Sequence, residues 1–193
     1  HSLYVQGGEG NFLFGLGAGY NGISGVMKKS TREVISGNID LIYRMEKFQF
    51  SNKFSMSSTH FKNPIVSFQT YAEANPYYKK YNESGIIGKW LEKNDFFEAP
   101  NPLWNDTQNS RDEGKSLSLS NYFIAEYFPT TEWRVRTRIG ITYGNDDTEK
   151  FYSPNDTRYE EVETIKKGTY NSSNAKLNQI EGELSVTYAK VLG

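Results

Sequence analysis

The side chains of this chain that could do chemistry fall into three groups. Between about residues 61 and 115 rings crowd together: Tyr71, Tyr77, Tyr78, Tyr81, Trp90, Phe96, Phe97 and Trp104. Flat apolar ring faces suit sugar C–H groups or peptide side chains, and nearby Asn and Asp could orient hydroxyls. A long connection also needs anchors, and rings packed on one another or on a partner protein would serve. Packing is the expected role of most of them, and Trp90, Trp104, Tyr77, Tyr78 and Tyr81 are the candidates for ligand contact. The second group is Arg134, Arg136 and Arg138, which could line a path for an anion or pair with carboxylates such as Glu126, Glu181 and Glu183. The third is acidic: Asp146, Asp147, Glu160, Glu161 and Glu163 could offer oxygen ligands to calcium. No EF-hand spacing accompanies them, so a solvated acidic surface is expected and no metal site is assigned.

Other chemistry is poorly supplied. A glycosidase needs two carboxylates held at a fixed separation on rigid elements, whereas the paired acids here fall in expected loops. The two histidines, His1 and His60, are far apart and neither sits in a metal-ligand motif. No nucleophile-and-base arrangement is visible, so no enzyme activity and no cofactor are expected. The absence of cysteine removes disulfides, thiolate zinc sites and thiol catalysis together. With 22 basic and 23 acidic side chains there is no electrostatic footprint for nucleic acid. The NES, NDT and NSS tripeptides match glycosylation sequons, which an Asn-rich chain contains by chance.

The elements that must carry these residues read as long strands. Period-two alternation runs through Leu3–Gly7, Asn11–Tyr20, Glu33–Met45, Phe48–Met56, Leu117–Tyr127, Trp133–Tyr143 and Ile180–Tyr188. In the second segment Phe12, Phe14, Leu16, Ala18 and Tyr20 share a face, and glycines leave the other nearly bare. Tight turns are expected at GGEGN, Glu46-Lys47 and FPTTE. About a dozen residues follow the second strand, and long loops follow the fourth and sixth, over about 61–115 and 145–178. Short and long connections thus alternate. Bacterial outer-membrane barrels place tight turns at one end and longer loops at the other in this way, whereas sandwiches mix the two.

Low mean hydropathy does not exclude a membrane, because barrel strands alternate lipid-facing and lumen-facing residues. No run of about 20 apolar residues is present, so helical spans are excluded. The strand RVRTRIGITYG orients the wall. Its arginines point opposite to Trp133, Val135, Ile139 and Ile141, and arginine at the hydrocarbon midplane costs roughly 2–4 kcal/mol, so Arg134, Arg136 and Arg138 are expected to face the lumen. Trp133 and Tyr143 lie about ten residues apart, roughly 23 Å of height at about 3.3 Å per residue and about 45° of tilt. The apolar band between aromatic girdles is about 25 Å tall. Tyr43, Tyr127 and Tyr188, with Phe48, lie near short turns, where amphipathic rings settle at headgroup level. The expected fold is all-β: about seven antiparallel strands of a transmembrane outer-membrane barrel. The alternative is a soluble carbohydrate-binding β-sandwich, whose strands usually run about 5–6 residues.

Four stretches carry a family resemblance: GVMKKSTRE after the second strand, ANPYYKKYNESG and NPLWN in the first long loop, and FYSPNDTRY in the second. In order and spacing they resemble the SusC/RagA family of TonB-dependent outer-membrane transporters. The resemblance implies a barrel of about 22 strands with a plugged lumen. It also implies import of oligosaccharides or peptides, a SusD-like surface lipoprotein as lid, and energy from TonB through a plug domain. Plug and TonB-contacting segment are missing from residues 1–193. Seven strands cannot close a bacterial barrel, whose minimum is about 8, and an open edge is not tolerated in lipid. The strand-like opening at His1 and Ser2, without a signal peptide, fits a mature segment or a piece of something longer. The chain is therefore expected to be an early-barrel segment in the bacterial outer membrane.

Overall fold

The computed structural model describes residues 1–94 and 96–190 of the chain. Seven antiparallel strands form one sheet: β1 (Ser2–Glu9), β2 (Phe12–Ser24), β3 (Thr31–Met45), β4 (Phe48–Lys62), β7 (Arg111–Tyr127), β8 (Trp133–Tyr152) and β9 (Thr169–Tyr188). They lie side by side in chain order, so every connection joins neighbours. Between β4 and β7 the chain forms helix α1 (Phe68–Glu73), the small hairpin β5 (Trp90–Lys93) and β6 (Glu98–Pro100), and helix α2 (Pro102–Thr107). No helix among the described residues is long and apolar enough to cross a membrane.

The strands outrun the sequence expectation at one end. β2 and β3 continue until only residues 25–30 separate them, not about a dozen. β7 begins at Arg111, β8 continues to Tyr152 and β9 starts at Thr169, so the second long loop spans 153–168 rather than 145–178. Tyr143 consequently lies within β8 and not at its end. The extensions are polar on both faces, as in NDDTEK and TYNSSN, so no period of hydrophobicity marks them; ladder pairing such as Asp147 with Asn174 holds them extended.

The pairing is unbroken by bulges in the seven-stranded sheet, so it states which residues share a face. Phe12 pairs with Tyr43, Tyr43 with Phe50, Phe48 with Tyr127, Tyr127 with Val135, and Trp133 with Tyr188. Followed upward, the same face carries Leu16, Ile39, Phe54, Leu119, Ile139, Ile141, Ile180 and Leu184. Farther from the short turns this face becomes polar: Glu33 follows Ile35, His60 follows Ser58, Lys115 follows Leu117, and Asn145 and Asp147 follow Tyr143. The apolar stretch is thus about ten residues per strand, roughly 23 Å tall at 45° of tilt.

Among the described residues nothing covers this band. Ile180 is 79% exposed and Leu184 70%, while the buried apolar side chains among the described residues are Val66 and Pro102, both in the long connection. Area removed from water is the main stabiliser of a soluble fold, and this sheet withholds its most apolar face from that process. The opposite face is polar, with Asn38, Asp40, Lys53, Ser55 and Ser120 beside the arginines of β8. β1 and β9 stand at the two ends of the sheet and do not pair with each other.

Candidate functional site

At the short-turn end of the polar face, side chains link four strands. Arg44 on β3 donates to Gln49 on β4 (2.9 Å), and Gln49 donates to Glu126 on β7 (3.0 Å). Glu126, only 6% exposed, receives Arg134 in a direct ion pair and lies 3.8 Å from Arg136 on β8. One level up, Arg138 meets Glu181 at 3.0 Å and Glu183 at 4.0 Å on β9, and its guanidinium lies 4.9 Å from the centre of the Tyr122 ring. The three arginines share one face and are matched by three carboxylates. Arg134 and Arg138 donate to carboxylates there, while the buried Nε of Arg136 has no hydrogen-bond partner and is balanced by Glu126 through charge alone, so the ladder is a charge-neutralised network and not an open anion path.

On the apolar face, the rings nearest the short turns form a row across six strands: Phe12, Tyr43, Phe48, Tyr127, Trp133 and Tyr188. Phe48 and Tyr127 stack with centroids 4.7 Å apart, and Trp133 and Tyr188 meet at 4.8 Å.

The long connections dock on one another at the far end. Asn101 is fully buried. Its amide nitrogen donates to the carbonyls of Lys80 (3.0 Å) and Gly88 (2.7 Å), and its amide oxygen accepts from the Leu103 N–H, capping α2. Pro102 opens that helix, where a missing N–H costs nothing. From α2, Trp104 Nε1 donates to the Asn155 carbonyl (3.2 Å), while the Asn105 amide both donates to Thr157 Oγ1 (2.8 Å) and accepts from the Thr157 N–H (3.1 Å). Asp106 pairs with Lys29 of the 25–30 turn at 3.4 Å. Asp156, 1% exposed, accepts from Arg158, whose guanidinium lies 3.7 Å from the Tyr152 ring centre. Lys89 and Lys93 both pair with Glu160. Hydrogen bonding to Lys89, together with the charges of Lys89, Lys93 and Lys167, holds the Glu160 carboxyl below the usual glutamate range against its partial burial.

Of the five rings considered for ligand contact, two come together. Tyr81 and Trp90 line an open groove of about 540 Å³ with Lys79, Asn82, Glu83, Gly88 and Leu91. Lys93 Nζ lies 4.8 Å from the Trp90 ring centre. Trp104 is elsewhere, tied to Asn155, so its indole N–H is committed to holding loops together. Tyr77 is 92% exposed. The phenol of Tyr78 is raised above its ordinary value, chiefly by the neighbouring Glu92 carboxylate, with desolvation adding to the effect. The acidic candidates are also dispersed: Asp146 meets Ser116, Asp147 meets Asn145 and Asn174, and Glu160 meets lysines. No group of three or more His, Cys, Asp or Glu among the described residues could hold a metal ion.

Asn101, Asn105, Asp156 and Thr157 are not legible from sequence as a docking set. The available signal is local, an Asn before Pro at one helix start and an Asp before Thr-Arg at a short turn, and each is a common capping pattern. No protein-family model matches this sequence, and no curated protein matches it either.

Proposed function

We propose that this chain is a segment of the wall of an outer-membrane β-barrel, within a TonB-dependent transporter of the SusC/RagA type. The observation that carries this reading is the uncovered apolar face of the sheet. It is one band across seven register-linked strands, edged by a row of rings at the short-turn end, with the arginine and carboxylate network on the opposite face and charge on its own face only at the band's margins. A bilayer meets the needs of such a face, and barrels of this kind show an apolar band about 25 Å tall with aromatic girdles. Strands of 13 to 20 residues in β2, β3, β4, β7, β8 and β9 also weigh against a soluble carbohydrate-binding sandwich.

In this reading the short turns face the periplasm and the docked connections face outward. Arg134, Arg136 and Arg138 line the lumen beside the plug, and further strands of the same polypeptide pair with β1 and β9. The transported material is oligosaccharide or peptide, delivered with a SusD-like surface lipoprotein, and TonB acts through the plug. The groove with Tyr81 and Trp90 is the part of the outer surface best suited to ligand contact.

The test uses the full-length polypeptide. It should fractionate with outer membranes and migrate faster on gels before heating in detergent than after. A compact monomer soluble without detergent would overturn the proposal. For the groove, Trp90→Ala should weaken glycan or peptide binding by at least about tenfold, the loss typical of an aromatic anchor. Unchanged affinity for both classes would remove Trp90 from the ligand site.

A further inference from the structure

We infer that α2 is a conformational relay: Asn101 sets the groove beside Trp90 and Asn105 docks the 153–168 connection, so the two are coupled through one short helix. This goes beyond the transport reading and does not depend on what meets the sheet's apolar face.

The geometry is specific at both ends. Asn101 spends both amide hydrogens on Lys80 and Gly88, which flank the groove segment, and its oxygen on the start of α2. The same groove segment is closed on itself by Tyr81 pairing with Ile87 and by the Asn82 N–H donating to the Ile86 carbonyl at 2.8 Å. One turn along α2, Asn105 spends a donor and an acceptor on Thr157. Neither asparagine touches the other's target. α2 is therefore one route between groove and connection, alongside the direct pairs of Lys89 and Lys93 with Glu160 that cross the same seam. A coupling free energy acts equally in both directions, which gives the inference a reciprocal signature.

The Asn→Asp substitution separates the two roles. At position 101, Asp still caps α2, because a carboxylate accepts from the Leu103 N–H as well as an amide does. It has no hydrogens to give, so a negative oxygen would face the carbonyls of Lys80 and Gly88. At position 105, Asp still accepts from the Thr157 N–H, and the Thr157 hydroxyl can rotate to donate. Asn101→Asp is therefore disruptive and Asn105→Asp conservative, while Asn105→Ala removes the dock.

Hydrogen exchange on the full-length protein in detergent reads both sites. The reporters are the N–H groups of Asn82 and Gly88 in the groove and of Tyr159 and Glu160 in the connection, all hydrogen-bonded in the fold. Asn101→Asp should speed exchange about tenfold at all four, the scale of one lost hydrogen bond. Asn105→Ala should do the same, and Asn105→Asp should leave all four near wild type. Acceleration confined to the groove in Asn101→Asp and to the connection in Asn105→Ala would overturn the relay, as would unchanged exchange in both variants. Exchange in β3 and β8 serves as the folding control and should not change.

Discussion

At the scale of single residues, the most informative pair interrupts the apolar band. Asn52 on β4 and Asn121 on β7 exchange side-chain hydrogen bonds of 3.1 and 3.0 Å on the apolar face. Counted from the ring row, they lie roughly 9 and 14 Å up, at about 3.3 Å per residue and 45° of tilt, near the middle of the proposed hydrocarbon layer. Water could replace a lost partner in a soluble protein, whereas lipid cannot. Replacing either Asn by Leu alone should therefore destabilise the protein by about 1–3 kcal/mol, and the double replacement should recover most of that loss. Urea unfolding of the four proteins in detergent checks this, and strictly additive effects would show that the amides do not depend on each other. A second prediction concerns Glu160. Its folded pKa is depressed, so the stability it adds is fully present above the unfolded value of about 4.3 and is lost as pH falls through the folded value. Trp104 fluorescence should report loosening of the 153–168 connection only below the ordinary glutamate range, and Glu160→Gln should abolish that transition. Neither feature is legible in the sequence. Asn52 and Asn121 appear there as polar interruptions of separate strands, and only register brings them together.

Elements differ in what made them visible. β2, β3, β4 and the lower parts of β7 and β8 announce themselves through alternation, because one face must be apolar and the other must not. Their upper parts carry no such contrast, and there the ladder decides. The long connection reads as loop punctuated by Pro and Asn, and ring type alone cannot separate Trp90, which lines a groove, from Trp104, which ties two connections. The bare stripe on β2 is readable as glycine but not as space. Side chains from both neighbours use it: a Cβ on Gly15 would meet the Tyr4 hydroxyl at 2.4 Å, and one on Gly17 the Asn38 amide at 2.1 Å. Gly140 on β8 works the same way for the charged network, since a Cβ there would come within 2.6 Å of the Tyr122 ring and 2.8 Å of the Glu181 stem. Gly140→Val should cost about 1–3 kcal/mol by displacing the ring beneath Arg138. Gly182 on β9 has nothing within 4 Å of such a Cβ, so Gly182→Ala should be neutral or stabilising by about 0.5–1 kcal/mol. Thermal unfolding in detergent compares the two, and equal effects would show that close packing at Gly140 is not what matters.

For the molecule as a whole, the sheet's order follows the chain, so each strand can be added to the last without crossing. That simple order leaves seven strands and their short turns legible in the sequence. The two-sidedness of the sheet was readable too, since the arginines of β8 and the rings of its other face cannot share an environment. β9 adds a consequence of a different kind. Its 20 residues pair with β8 along one side only, leaving the other side as a row of backbone donors and acceptors beside an uncovered apolar face. Such an edge is a template for any extended chain that meets it. Residues 1–193 synthesised alone should therefore accumulate as β-rich aggregates, growing by strand addition at β9 and β1. Detergent would shield the apolar face but not the edges, so it should slow lateral clumping while leaving fibre-like growth along the sheet.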